Sequence, residues 1–254
     1  MKLLKNKSLK YFLPTITVLL IWEILFLLVN NSYFVPSIEK TLLTLAKTIV
    51  GIEFFTVVFT SLLRVLLGLF LGIIFGIVMA ALCHYSYVAS YLFAPLISIM
   101  KATPVACIVV LLWISMTYTQ LTVFVVFLMV LPIIWQNVLD GFKSIDQDLL
   151  EVTEIFRLTF MQRLRVLIFP TIIKYISPAI ITSIGLAWKA GIAAEIMTNS
   201  NMGRLIYNYK NVTYDTASIF AWTIIIVSFS LILEKVAKLL LKGVSDDAVN
   251  IQSN

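Results

Sequence analysis

Residues 65–139 have the sequence VLLGLFLGIIFGIVMAALCHYSYVASYLFAPLISIMKATPVACIVVLLWISMTYTQLTVFVVFLMVLPIIWQNVL, in which Lys101 is the one charged side chain among 75 residues. The whole chain of 254 residues is 61% hydrophobic and 13% charged, whereas a soluble domain has about 25% charged residues. This composition excludes a water-soluble enzyme, a nucleic-acid-binding domain and a disordered tail. It indicates an all-α integral membrane protein, because a helix satisfies its backbone hydrogen bonds within one segment.

The apolar runs are too long for single membrane crossings. Val65–Met100 contains 36 uncharged residues, which as one helix would measure ~54 Å against a hydrocarbon core of ~30 Å. We therefore place one break at His84-Tyr85-Ser86 and another at residues 116–120. The sequence then predicts six membrane helices, the third interrupted by Pro95 and Pro104, with approximate bounds 13–29, 55–82, 88–115, 121–138, 168–196 and 217–233.

The segments between the apolar runs predict the organisation and orientation of the chain. Residues 1–55 are expected to hold the first membrane helix and, over 30–55, an amphipathic segment at the interface. Residues 56–242 form the predicted membrane core, and residues 243–254 a flexible polar tail. Lys and Arg number four before residue 11, four in 140–166 and three in 235–242, against four in the other connections. This excess predicts that both termini are cytoplasmic.

One segment between residues 139 and 170 interrupts the membrane pattern with charges of both signs. Ser144 and Gln147 have the spacing of a capping box, and acidic residues precede arginines as the helix dipole favours. Spacings of three or four place four side chains on one apolar face: Leu149, Val152, Phe156 and Phe160. This predicts an amphipathic cytoplasmic helix over about 146–162. It either rests on the membrane surface or docks a partner and transmits its movement to the membrane helices.

The same segment resembles the cytoplasmic loop of permease subunits of binding-protein-dependent ABC importers. That loop begins Glu-Ala-Ala, continues with a Gly and ends with an Ile-x-Leu-Pro-like sequence. Here Glu151-Val-Thr stands at the start, Arg157 at the position of the Gly, and Leu167-Ile-Phe-Pro170 at the end.

Three further stretches resemble the nitrate/sulfonate/taurine-type permeases, so that the resemblance covers residues 13–242. They are Ser61-Leu-Leu-Arg64-Val-Leu-Leu-Gly68 with Gly72 and Gly76, Pro95-Leu-Ile-Ser-Ile-Met-Lys101-Ala-Thr-Pro104-Val, and Gly185-Leu-Ala-Trp188-Lys189-Ala-Gly191-Ile-Ala-Ala-Glu195 with Met202-Gly203 and Asp215-Thr216. The resemblance implies the type I ABC importer permease fold, with about six transmembrane helices and a cytoplasmic coupling helix. It also implies a multi-pass cell-membrane protein that transports a solute as a homodimer.

The resemblance implies three protein partners besides the lipid bilayer: a second copy of the chain, ATP-binding cassette ATPase subunits and an extracytoplasmic solute-binding protein. The chain has no Gly-x4-Gly-Lys-Ser/Thr phosphate loop, so we expect ATP hydrolysis on the separate subunits. We expect no catalytic residue, no cofactor and no metal site. An autonomous secondary transporter or channel is the alternative. An intramembrane enzyme is disfavoured, because His84 is the single histidine and has no paired acid or nucleophile motif.

Three sets of residues are predicted to carry the function. Coupling to the ATPase subunit is assigned to Asp148, Glu151, Glu154, Phe156, Arg157 and Phe160. The translocation pathway is assigned to Lys101, Pro104, Trp188, Lys189 and Glu195, because charges within membrane spans face protein or a water-filled cavity. Lys101 and Lys189 would favour an anionic solute such as a sulfonate or nitrate, unless both belong to structural ion pairs. Close helix packing is assigned to Gly68, Gly72 and Gly76, a small-x3-small pattern.

Overall fold

The computed structural model describes the backbone of residues 7–253 and the side chains of residues 13–241 except Thr15. Over this range the chain is helical, with short connections. The elements are α1 Lys7–Val29, α2 Ile38–Val50, α3 Ile52–Tyr85, α4 Tyr87–Ala102, α5 Val105–Trp113, α6 Tyr118–Lys143, α7 Gln147–Ile155, α8 Phe160–Arg163, a π-helical turn Leu164–Ile168, α9 Phe169–Met197, α10 Asn201–Asn211 and α11 Thr216–Ser253.

Four helical stretches are long and apolar enough to cross a membrane: α3, α6, the stretch Phe160–Met197 that includes α9, and α11. A fifth crossing is formed if α4 and α5 count as one span, although the pair is bent by 99°. The shorter apolar part of α1 comprises Ile16–Val29. The six predicted membrane helices thus correspond to four unbroken helices, one bent pair and α1.

Local capping explains where several helices begin and end. The break between α3 and α4 falls at Ser86, within the predicted polar cluster, and the Ser86 hydroxyl accepts a hydrogen bond from the Ala89 N–H at 3.3 Å. The α6 helix extends beyond the predicted 121–138, because Thr117 and Gln120 form a capping box at its start. The predicted interfacial segment 30–55 is helical only over Ile38–Val50, and α3 already begins at Ile52.

The described chain divides into two compact units. The first contains the residues up to Val58 together with Arg204–Ser228, and the second contains Phe59–Gly203 together with the residues from Phe229 onward. The predicted boundary after residue 55 lies close to the first division, but the sequence did not indicate that α10 and the first part of α11 cluster with the N-terminal helices.

Aromatic contacts hold the first unit together. The Trp22 indole donates a hydrogen bond to the Pro36 carbonyl at 3.0 Å. Its ring lies 5.3 Å from the ring of Phe220, and the rings of Phe54 and Trp222 are 6.0 Å apart. Such ring pairs stabilise beyond the area that they bury. They therefore fix α1 and the start of α3 to α11 within this unit.

The second unit is built around α6, which packs along α9 for much of its length. Val125, Val130 and Val138 of α6 have no exposed surface. On another side α3 approaches α6 through three glycines, four residues apart. A Cβ atom on Gly68, Gly72 or Gly76 would lie only 2.7–2.8 Å from the Cβ atoms of Val126, Val130 and Ile134, in that order.

The C-terminal helix is longer than the apolar run that predicted it. Residues 217–233 were expected to cross the membrane, and α11 extends from Thr216 to Ser253. The backbone of residues 243–253 is therefore helical, while the flexibility expected of this segment stays a prediction.

Candidate functional site

The polar segment (residues 144–163) forms two short helices rather than the single helix predicted over about 146–162. The α7 helix ends at Ile155, and α8 begins at Phe160. The single-helix prediction was wrong because its apolar spacing continues through the turn at Arg157. This turn separates Phe160 from Leu149, Val152 and Phe156.

The capping prediction at the start of this segment was also wrong. Ser144 follows the end of α6, and its hydroxyl donates to the Gly141 carbonyl at 2.8 Å. Asp146 is the residue that caps α7, because its carboxylate accepts a hydrogen bond from the Asp148 N–H at 3.0 Å. A carboxylate at this position also interacts favourably with the helix dipole.

Arg157 makes the turn between α7 and α8. Its φ angle of 51° lies in the left-handed region. The Arg157 N–H donates to the Glu154 carbonyl at 2.9 Å and the Leu158 N–H to the Thr153 carbonyl at 3.0 Å, which together form a Schellman motif. Glycine is the usual residue there because it lacks a Cβ atom. The position that the family loop fills with Gly is thus a left-handed helix terminus in this chain.

We expect Arg157→Gly to raise the free energy of unfolding by about 1 kcal/mol, because a residue other than glycine is strained at a φ of 51°. Thermal unfolding of the detergent-purified chain measures the change. Arg165→Gly, in the π-helical turn, is the matched control and should lower stability, since glycine weakens helix interiors. A lower melting temperature for Arg157→Gly would contradict the strained turn.

The side chains predicted to couple to a partner lie mainly at the surface of this segment. Asp148, Glu151, Glu154, Phe156, Arg157 and Phe160 are all exposed. The exposed fractions of Ile155 and Phe156 are 77% and 72%, so the end of α7 presents two apolar side chains. An ion pair of 3.6 Å between Glu154 and Arg163 spans the turn.

Both ends of the polar segment are attached to long helices. The α7 helix follows α6 after three residues, and α8 continues through the π-helical turn into α9. Leu167 and Ile168 of that turn are buried, which anchors the end of the segment to the second unit. A force applied to α7 would therefore reach α6 directly and α9 through a packed turn.

A second polar cluster surrounds Glu195 near the end of α9. The carboxylate is fully buried. One oxygen accepts hydrogen bonds from the Ser61 hydroxyl at 2.6 Å and the Met202 N–H at 3.3 Å, and the other lies 3.3 Å from the Arg64 guanidinium. The Asn201 amide donates to the Ser61 hydroxyl at 2.6 Å. Glu195 thus ties α3, α9 and the start of α10 together.

The sequence did not predict this pairing, although Glu195 was assigned to the pathway and Arg64 lies in a stretch that resembles the family. Arg64 and Glu195 are 131 positions apart, so no local spacing connects them. The signal that could have suggested it was the pair of polar residues, Ser61 and Arg64, on one face of α3 within an apolar span.

The other pathway residues of α9 differ in exposure. Trp188 has no exposed surface, and its ring stacks on Phe229 with centroids 5.8 Å apart. Lys189 is exposed. Within this subunit Trp188 and Glu195 could act on a pathway only by holding α9 in place, whereas Lys189 could contact a solute. The assignment of all three stays a prediction.

Lys101 and Pro104 lie at the bend between α4 and α5, where they line an open cavity of about 370 Å³. The rest of its wall comes mainly from apolar residues of α4 and α6, with Leu186 of α9. The Lys101 ammonium lies 3.1 Å from the Gln136 amide oxygen and 5.8 Å from the centre of the Trp135 ring. Irregular backbone is tolerated at membrane depth where it lines a cavity, as it does at this bend.

The sequence matches a known family over residues 72–246, described as the inner membrane component of binding-protein-dependent transport systems. The Methanocaldococcus jannaschii protein MJ0413, which has a provisional designation as an ABC transporter permease, is 27% identical over 244 residues, covering 91% of this chain and 88% of that protein. The bicarbonate transport system permease CmpB of Synechocystis is 35% identical over 81 residues, which are 32% of this chain and 29% of CmpB.

Two solved structures have a similar fold. The inward-facing MetNI methionine ABC transporter aligns with a TM-score of 0.63 and 15% identity, over 74% of this chain and 94% of the matched chain. The crystal structure of an amino acid ABC transporter with histidines aligns with a TM-score of 0.59 and 18% identity, over 74% of this chain and 90% of the matched chain. The predicted fold class, that of type I ABC importer permeases, is confirmed. The autonomous transporter is not favoured.

Proposed function

Because the chain belongs to the family of inner membrane components of binding-protein-dependent transport systems, we propose that it is the membrane-spanning subunit of an ATP-driven importer for a small anionic solute. Two copies form the pathway, separate ATP-binding subunits dock on the polar segment, and an extracytoplasmic binding protein delivers the solute. Both termini and the polar segment face the cytoplasm. The family consists of transport components, and the ATPase activity belongs to the partner subunits.

The observation that carries this proposal is the structure of the polar segment. It combines exposed acidic side chains on α7, an exposed apolar pair at Ile155 and Phe156, and short attachments to α6 and α9. A free-floating interfacial helix needs none of these attachments, whereas a docking element needs both a contact surface and a packed connection. Binding of ATP can shift such a pathway only if the two arrangements differ in affinity for ATP.

The solute class rests on two lysines. Lys101 lines the cavity at the bend and Lys189 is exposed on α9, and lysines in a pathway favour an anion. The local similarity to CmpB, a bicarbonate permease, and the resemblance to nitrate/sulfonate/taurine-type permeases agree with a small anion.

We expect Phe156→Ala to reduce solute-stimulated ATPase activity of the reconstituted complex at least tenfold, because Phe156 is 72% exposed and apolar anchors dominate such interfaces. Glu151→Lys should have a similar effect by reversing one charge of the docking surface. The measurements are co-purification of the ATP-binding subunits and their ATPase rate.

Phe70→Ala is the matched control, since Phe70 of α3 is 60% exposed and lies within a membrane span. It removes the same side chain away from the polar segment and should leave co-purification intact. Undiminished co-purification and ATPase activity in both Phe156→Ala and Glu151→Lys would overturn the docking role.

A further inference from the structure

The Lys101 side chain belongs to a short chain of hydrogen bonds. Its ammonium donates to the Gln136 amide oxygen at 3.1 Å. The amide nitrogen of Gln136 then donates to both carboxylate oxygens of Asp140, at 3.0 and 3.1 Å. Gln136 and Asp140 are one turn apart on α6, so a neutral amide separates the cation from the anion.

The neutral spacer has a chemical consequence. An ammonium has three N–H donors, and Gln136 takes one of them. Had a carboxylate occupied the Gln136 position, it would form a direct ion pair and neutralise the lysine. Because Asp140 acts through the amide, it fixes the amide's orientation and leaves the Lys101 charge available.

The available charge faces a site of suitable size. Among the described residues lining the cavity of about 370 Å³, Lys101 is the only charged one. The Thr103 hydroxyl already donates to the Ile99 carbonyl at 2.7 Å. A small oxyanion entering this largely apolar site would therefore find its strongest partner in Lys101.

We propose that Lys101 is the anion-binding group of this cavity and that Gln136 and Asp140 are positioning residues that present its ammonium to a small oxyanion. This inference rests on the proposed function in one respect: the bound anion is taken to be the class of solute that is transported. Gln136 lies two turns before the end of α6, ~10 Å along the helix axis. The two positioning residues thus lie on the helix from which the polar segment continues.

The test uses nitrate as the anion probe and a cysteine at the cavity wall as the reporter. Ala102→Cys is introduced with Cys107→Ser, because Ala102 lines the cavity and Cys107 is exposed. The full chain, purified in detergent, is reacted with an anionic and a cationic methanethiosulfonate at constant ionic strength. Even with the dielectric constant of bulk water, a unit charge ~8 Å away changes the ratio of the two rates about fivefold.

The expected result is a fast reaction with the anionic reagent, slowed by nitrate. Lys101→Gln and Gln136→Glu should each lower the anionic-to-cationic rate ratio about fivefold and remove protection by nitrate, while Lys101→Arg restores both. Gln120→Glu is the matched control: it makes the same change on the same helix, where a carboxylate can still cap the Thr117 N–H, and should have no effect.

The positioning role has its own readout. Asp140→Leu should weaken nitrate protection several-fold, whereas Asp140→Asn, which keeps an oxygen acceptor and removes the negative charge, should bind nitrate at least as well as the parent. The inference would be overturned if nitrate failed to slow the anionic reagent in the chain that carries only Ala102→Cys and Cys107→Ser. It would also be overturned if adding Lys101→Gln left the protection by nitrate unchanged. These binding measurements need no partner subunit, so their failure is distinguishable from loss of docking in Phe156→Ala.

Discussion

Replacing Glu195 with alanine is expected to lower the free energy of unfolding by about 3–5 kcal/mol, the usual cost of breaking a buried ion pair. The substitution leaves the Arg64 guanidinium without its carboxylate partner and removes the acceptor for the Ser61 hydroxyl and the Met202 N–H. Chemical unfolding of the detergent-purified chain measures the loss.

Two further variants separate the ion pair from simple packing. Glu195→Gln keeps the side-chain volume and an oxygen acceptor, so it should lose less stability than Glu195→Ala. The double variant Glu195→Leu with Arg64→Leu should be more stable than the sum of the single changes predicts, because it leaves no uncompensated charge. Additive losses would contradict a direct interaction between these two residues.

The second large effect is expected at the glycine contact between α3 and α6. A Cβ atom on Gly72 would lie 2.8 Å from the Cβ of Val130, which is closer than two carbons pack. Gly72→Ala should therefore lower the free energy of unfolding by about 1–3 kcal/mol, the cost of inserting a methyl group into a packed core. This loss opposes the gain that alanine normally brings to a helix.

The control for Gly72→Ala lies two residues further along α3. Ile74 is 40% exposed, and Ile74→Ala changes a side chain away from α6. We expect a smaller change in unfolding free energy for Ile74→Ala, measured under the same conditions. An increase in stability for Gly72→Ala would mean that the two helices do not approach as closely as described.

The fold was largely predictable because its signals are local. Bilayer thickness limits helix length, which required a break near His84-Tyr85-Ser86, and the chain breaks at Ser86. The predicted interruption of the third span at Pro104 is found, because α5 begins directly after this residue. The interruption predicted at Pro95 was wrong, because Pro95 lies inside α4 and the helix continues through it. The 99° bend between α4 and α5 was not predictable, since it depends on packing against α6.

The polar segment was predicted as an element but not in its shape. Its apolar spacing continues across the turn at Arg157, and periodicity alone does not reveal a change of direction. An arginine at a φ of 51° is rare, so the residue type gave no indication of a helix terminus. The family loop has a Gly at this position, which is the usual residue at a left-handed helix terminus, but the sequence analysis predicted a continuous helix there.

The long-range contacts were beyond sequence reasoning. The Glu195–Arg64 pair joins residues 131 positions apart, and the Lys101–Gln136 contact joins residues 35 positions apart. The rule that charges in membrane spans are partnered or line a cavity drew attention to Glu195 and Lys101. It could not decide which charge had a charged partner, and the structure pairs Glu195 with Arg64 and places Lys101 at an open cavity.

The most direct test of the account is site-specific cross-linking of the polar segment to the ATP-binding subunit. Two variants are compared, Phe156→Cys and Val212→Cys, and each also carries Cys107→Ser. The native side chains of Phe156 and Val212 are 72% and 66% exposed. A thiol-reactive photo-cross-linker is attached to each cysteine in membranes that contain the complex. We predict a covalent product with the ATP-binding subunit from position 156 and none from position 212. Cross-linking from position 212 alone, or labelling of position 156 by a membrane-impermeant thiol reagent added outside, would contradict the account.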